Sequence, residues 1–150
     1  MPSVTTETTA GELFIALDAT SYTWSDTRNA STATTAYVYQ SGVSINAEYT
    51  GLRGNTFRIR RGYLHFDLSS VSGTITDLSL GLYTKSPSVS KDIIIVKSTA
   101  PDGSNIATGD FGDADLSTAY SAEFTTFSTT GDTLNSITLN STAISDANTN

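Results

Sequence analysis

The run Asp110-x-x-Asp113-x-Asp115 places three carboxylates on one short segment, preceded by Asp102 and Asn105 in a glycine-rich stretch. Calcium takes about six to eight oxygen ligands from flexible loops. The spacing therefore offers a calcium site at Asp110, Asp113 and Asp115, although it lacks the central glycine and closing glutamate of an EF-hand loop. The competing reading is that Asp and Gly are simply turn formers. His65, the single histidine, stands two residues before Asp67 on what reads as one strand face. With so many serines present, a Ser-His-Asp arrangement is conceivable, but no G-x-S-x-G elbow supplies a nucleophile. No catalytic residue is expected.

A second group of side chains suits binding. Tyr22, Trp24, Tyr37, Tyr39 and Tyr49 enrich the N-terminal third in aromatics. Aromatic faces stack on sugar rings, and the same residues also serve cores and interfaces. Arg53, Arg58, Arg60 and Arg61 fall within nine positions, with Arg58 and Arg60 on one strand face. They read either as a solvated face or as a dock for an acidic surface on a second copy. That surface exists in the sequence: residues 101–150 carry seven acids and no Lys or Arg, within a net charge of -7. An acidic balance opposes nucleic acid as a partner.

These residues need a scaffold. A chain of 150 residues is a single-domain length that buries roughly 68–70% of its unfolded surface. It has no cysteine, which excludes disulfides and thiol chemistry. Ser and Thr make up roughly a third of it, and strong helix formers are scarce, so strands and turns dominate. No apolar run reaches the ~20 residues of a membrane span. The first residues, M-P-S-V-T-T-E-T-T-A-G-E, carry neither a basic nor an apolar signal-peptide region.

In chain order, residues 1–11 read as a flexible arm and 12–150 as one domain. Glu12–Ala19 reads as a strand, Tyr22–Ser25 as a short alternating patch, and Asp26–Thr35 as a loop. Ala36–Tyr39 and Val43–Tyr49 read as strands around Ser41-Gly42, with a turn at Gly51–Asn55. Phe57–Tyr83 contains two alternating runs, with Leu64, Phe66 and Leu68 in one and Leu78, Leu80 and Leu82 in the other. A turn at Ser69–Gly73 links them. Phe57, Ile59 and Arg61 hold odd positions, so a bulge near Gly62 is expected to correct the phase. Lys85–Lys91 reads as a loop, Asp92–Ser98 as a strand buried on both faces or in the sandwich centre, and Ala100–Leu116 as loop. Ala122–Phe127 and Asn135–Leu139 are expected strands. Asn140–Ala147 is expected to form a helical turn capped by Asn140 or Ser141. The fold class is all-β: an antiparallel β-sandwich (jelly roll) of about eight or nine strands without a long helix. The final Ser145–Asn150 leaves three readings: early closure, truncation, or a strand donated by another subunit.

Arg61-Gly-Tyr63-Leu64-His-Phe66-Asp67-Leu68-Ser69, followed by Gly73 and Ile75-x-x-Leu78-x-Leu80-x-Leu82-Tyr83, resembles a known pattern. It is similar to that of DNRLRE-type, carbohydrate-binding-module-like β-sandwich domains, Ser/Thr-rich versions of which occur in tailed-phage structural proteins. The likeness spans about residues 13 to 100 and is specific over 61–83; Leu78 departs from it, and the closing strands are missing. It implies a jelly roll in which Arg61 and Asp67 anchor strand ends; Arg61 itself is expected to pair with a carboxylate, Asp67 or Asp77. It also implies a non-enzymatic virion protein, a capsid decoration or fibre module. Its expected partners are other virion proteins, further copies of itself and a surface glycan, with no nucleic acid, membrane or cofactor beyond calcium. A secreted, extracellular carbohydrate-binding module is the alternative, and a filament subunit completed by a donated strand is another.

Overall fold

The computed structural model describes residues 14–21, 23–39, 46–50, 56–69, 71–84, 92–101, 106–128, 131 and 133–149. The expected arm at 1–11, the turns at 41–42 and 51–55, the loop at 85–91, Tyr22, Arg53, Asp102 and Asn105 lie outside them. The described chain is mostly strand, with short helices and none long and apolar enough to cross a membrane. It packs as two compact units: residues 1–67 with 98–114, and residues 68–97 with 115–150.

The first unit is built on a four-stranded antiparallel sheet. Its strands are β1 (Phe14–Ser21), β2 (Thr35–Tyr39), β3 (Asn46–Thr50) and β4 (Thr56–Tyr63), in the order β2-β1-β4-β3. β4 is central and pairs with β1 from Phe57↔Ser21 to Tyr63↔Ile15 without a break. The bulge expected near Gly62 is therefore absent. The phase changes because the strand ends at Tyr63, not because a residue is inserted. The odd residues Phe57, Ile59, Arg61 and Tyr63 share one face with Ala19, which is 1% exposed. Tyr63, Ala19, Ala33 and Phe111 form the core of this unit, and Ile59 and Ile106 pack against it.

Three expectations fail here for identifiable reasons. Leu64–Leu68 keeps its alternation, with Leu64, Phe66 and Leu68 half-buried and His65 and Asp67 exposed, yet it joins no ladder. Alternation reports which side faces inward; a strand also needs a hydrogen-bonded neighbour. The alternating patch expected at Tyr22–Ser25 gives way at Trp24 to α1 (Trp24–Arg28). Its N-cap is Thr23, whose Oγ1 accepts from the Asp26 N–H at 3.1 Å. The loop expected over 100–116 instead holds a 3-10 turn (Thr108–Asp113) and begins β7 (Ala114–Ala119).

The second unit holds β5 (Ser79–Thr84) paired with β8 (Thr133–Thr138), and most of the pair β6 (Val96–Ser98) and β7. In β5, Leu80 and Leu82 are half-buried while Ser79, Gly81 and Tyr83 are exposed, as the alternation predicts. Gly73 has φ +92°, which suits glycine at the turn before this strand. Of the strand expected over 92–98 only Val96–Ser98 forms, as β6, and the preceding Ile93–Ile95 is not buried on both faces. Ile94 is half exposed, and the ladder is reduced to a bridge between Ile93 and Phe124. That bridge and Ser121↔Leu139 replace the strand expected over 122–127.

α2 (Ser141–Ala147) closes the described chain. Asn140 caps it, its Oδ1 accepting from the Thr142 and Ala143 N–H groups at 3.0 and 3.1 Å, while its Nδ2 donates to the Ala119 carbonyl at 2.7 Å. Asn148 fastens the other end, with Oδ1 accepting from Ile75 N–H and Nδ2 donating to Ile75 C=O, both at 2.9 Å. Asn140→Ala removes three hydrogen bonds and is expected to cost about 1–2 kcal/mol. Loss of helical ellipticity together with a lower urea midpoint checks this; an unchanged midpoint contradicts the capping role.

Candidate functional site

Arg61 sits on the core face of β4, where its neighbours are apolar. Its guanidinium lies 4.0 Å from the centroid of the Phe111 ring. Nη1 donates to the Phe111 carbonyl, and Nη2 donates to the Arg28 carbonyl at 2.6 Å. One side chain thus holds the end of α1 and the 3-10 turn against the sheet. The planar fork explains why arginine serves here, since it meets two acceptors at once. Desolvation by burial lowers the Arg61 pKa. The sequence expectation of a carboxylate partner at Asp67 or Asp77 is corrected: both of these hydrogen bonds end on backbone oxygens.

Tyr63 completes the arrangement. Its hydroxyl donates toward the Asp110 and Phe111 carbonyls at 3.0 and 3.1 Å. Ala33 N–H donates to the Thr108 carbonyl at 2.7 Å, and Gly112 N–H to the Ser31 carbonyl at 3.1 Å. A Cβ on Gly112 would stand 3.1 Å from that same oxygen, so glycine permits the approach. Burial pushes the Tyr63 phenol up to about 12. A raised phenol pKa stabilises the fold fully below the unfolded value of about 10. That contribution is lost as pH rises toward about 12. Urea midpoints should therefore fall between pH 10 and 12, more steeply in the native chain than in Tyr63→Phe; equal slopes would remove Tyr63 as the cause.

The acidic residues have structural tasks. Asp110 Oδ2 accepts from Ala107 N–H at 2.7 Å and so caps the 3-10 turn. Asp115 Oδ1 accepts from the Ser117 hydroxyl at 2.6 Å and its N–H at 2.9 Å. Those hydrogen bonds hold the Asp115 carboxyl down to about 2. Among the described residues no three Asp, Glu or His side chains are placed to hold a metal. Of the carboxylates expected to bind calcium, Asp110 accepts from the Ala107 N–H and Asp115 from the Ser117 N–H and hydroxyl. Asp67 is exposed at the end of the first unit.

The expected aromatic platform separates into two places. Trp24, 44% exposed, packs edge-on against Phe57 with centroids 5.8 Å apart. Phe57 belongs to the odd, core-side face of β4. Tyr37 belongs to the opposite face, in register with Ala16 of β1 and through it with Gly62 of β4. Tyr39 lies two residues on along β2, opposite Phe14 in the ladder. The Arg60 guanidinium lies 4.5 Å from the Tyr37 ring centroid. On the same face, Arg58 stands directly opposite Glu48, and Arg60 opposite Asp18.

Sequence reasoning missed Phe111 and Arg28. Arg28 contributes only a carbonyl, which no side-chain pattern reveals. Phe111 is a lone aromatic among Gly and Asp, and that isolation was the available signal: a large apolar residue in a polar turn is there to be buried. The signal for α1 was also present, since Thr23-x-x-Asp26 is a capping spacing. Comparison with known protein families, curated proteins and solved structures finds no match to this chain.

Proposed function

We propose that this chain is a non-enzymatic structural module of a virion, a capsid decoration or fibre subunit, on a jelly-roll β-sandwich scaffold. The observation that carries the reading is Arg61. The arginine of the phage-like signature stretch spends its guanidinium on two backbone carbonyls and one ring. Such a task is structural, which supports a scaffold reading of the stretch even though its partners are carbonyls and not a carboxylate. The Ser/Thr-rich, cysteine-free strand composition supports it as well. The partners are neighbouring virion proteins and further copies of the chain.

Immunogold electron microscopy of the source lysate tests it. Antibody to the purified chain should mark regular particles at repeated positions. Label restricted to secreted protein or to cell surfaces would reject the virion reading. That result would favour the second reading, a secreted carbohydrate-binding module, which draws on the exposed Trp24 and Tyr37.

A further inference from the structure

We infer that the outer edge of β5 is a contact between copies of this chain, two β5 strands pairing antiparallel about a two-fold axis at Gly81. The inference rests on the proposed function, whose partners include further copies, and says how they meet. It begins with the direction of the backbone. Leu139 N–H donates to the Leu78 carbonyl at 2.9 Å, and the ladder continues from Ser79↔Thr138 to Thr84↔Thr133. Hydrogen-bonded and non-hydrogen-bonded pairs alternate along an antiparallel ladder. Leu78, Leu80 and Leu82 therefore turn their backbone groups toward β8, and Ser79, Gly81 and Tyr83 turn theirs away. Among the described residues no strand pairs with that outer side of β5. Ser79 is exposed, and Tyr83 is 70% exposed. Gly81 is exposed as well, and a glycine has only backbone to expose. Sheet edges are commonly blunted by Lys, Pro or a bulge. Ser79–Thr84 reads S-L-G-L-Y-T, without Lys or Pro, and its ladder with β8 is unbroken.

Register and charge select the occupant. A two-fold axis at Gly81 sets Ser79 of each copy opposite Tyr83 of the other, Leu80 opposite Leu82, and Gly81 opposite Gly81. Every outward backbone group then meets another outward group, and the paired residues exchange both of their hydrogen bonds. A slip of one residue would set outward groups against inward ones and lose those bonds. The half-buried Leu80 and Leu82 continue one apolar row across the axis. Tyr83 stands diagonal to Gly81 of the second copy, within reach of an aromatic ring. The contact is self-complementary, as a two-fold interface must be. Each copy carries a net charge of -7, and its second unit holds six acids against three lysines. Two copies therefore repel at long range. They meet without like charges where neither brings one, and neither β5 nor β8 contains a charged residue. A strongly charged partner finds no counter-charge on these strands.

The test is sedimentation equilibrium of the full chain and of two double variants at the exposed positions Ser79 and Tyr83. Circular dichroism confirms that each variant is folded. The native chain should pass from monomer to dimer as its concentration rises. Ser79→Lys with Tyr83→Lys sets like charges opposite each other across the axis and should weaken the dimer about tenfold or more. Ser79→Lys with Tyr83→Glu sets opposite charges at the same places and should stay within about threefold of native. Added salt should strengthen the native dimer, because it screens the repulsion between two acidic copies. A native chain that stays monomeric, equal behaviour of the two double variants, or a dimer that weakens with salt overturns the inference. Sedimentation reads the purified chain and particle labelling reads its location, so the contact and the virion reading can fail independently.

Discussion

Phe111→Ala is expected to destabilise the first unit by about 3–5 kcal/mol, the range for truncating a buried aromatic that leaves a cavity. Phe111 is 0% exposed and completes a core otherwise made of Ala19, Ala33 and Tyr63. Two alanines cannot move inward to refill the space, so the cavity persists. The ring also carries the Arg61 guanidinium at 4.0 Å, and that contact goes with it. The Phe111 carbonyl survives any substitution, which isolates the ring from the backbone hydrogen bonds. Urea unfolding followed by fluorescence reports on this unit directly, because Trp24 is the single tryptophan and lies within it. A loss under 1 kcal/mol, by the same cavity scale, would mean that the ring is not part of the core.

Arg61→Ala is expected to cost about 3–4 kcal/mol. Two hydrogen bonds from a charged donor contribute roughly 1.5–3 kcal/mol each before overlap, and the side chain is only half-buried, which keeps the total below their sum. The Arg28 carbonyl loses this donor, whereas the Phe111 carbonyl keeps Tyr63. Arg61→Lys should recover less than half of the loss, because a compact ammonium cannot span both carbonyls and stack on the ring. Full recovery by lysine would show that charge, not the fork, matters.

Much of this was legible in the residues. The odd phase of Phe57, Ile59 and Arg61 already placed Arg61 on the apolar face, and Leu78–Tyr83 announced β5 by strict alternation. Asn140 announced α2, because an Asn before Ser-Thr-Ala has few better uses than a cap. The sequence was least informative where partners lie far apart along the chain. Leu64–Leu68 has the alternation of a strand without its ladder, and pairing is a property of the fold. Arg61 was read as a carboxylate partner because carboxylates are visible in sequence and backbone acceptors are not; its two carbonyls come from 33 and 50 residues away. The aromatics were legible as a composition but not as two separate groups. Only the register distinguishes Tyr37, on the face of Arg60, from Trp24, packed on Phe57.

The central claim is that the odd residues of β4 build the scaffold of the first unit: Phe57 packs on Trp24, Ile59 joins the core and Arg61 holds two backbone carbonyls. An alanine scan from Phe57 to Arg61, read by urea unfolding, tests it most directly. Phe57, Ile59 and Arg61 should each lose about 2 kcal/mol or more, and Arg58 and Arg60 distinctly less, because only the odd residues touch the Phe111 core or the elements packed on it. Equal losses at odd and even positions, or larger ones at Arg58 and Arg60, would contradict the account.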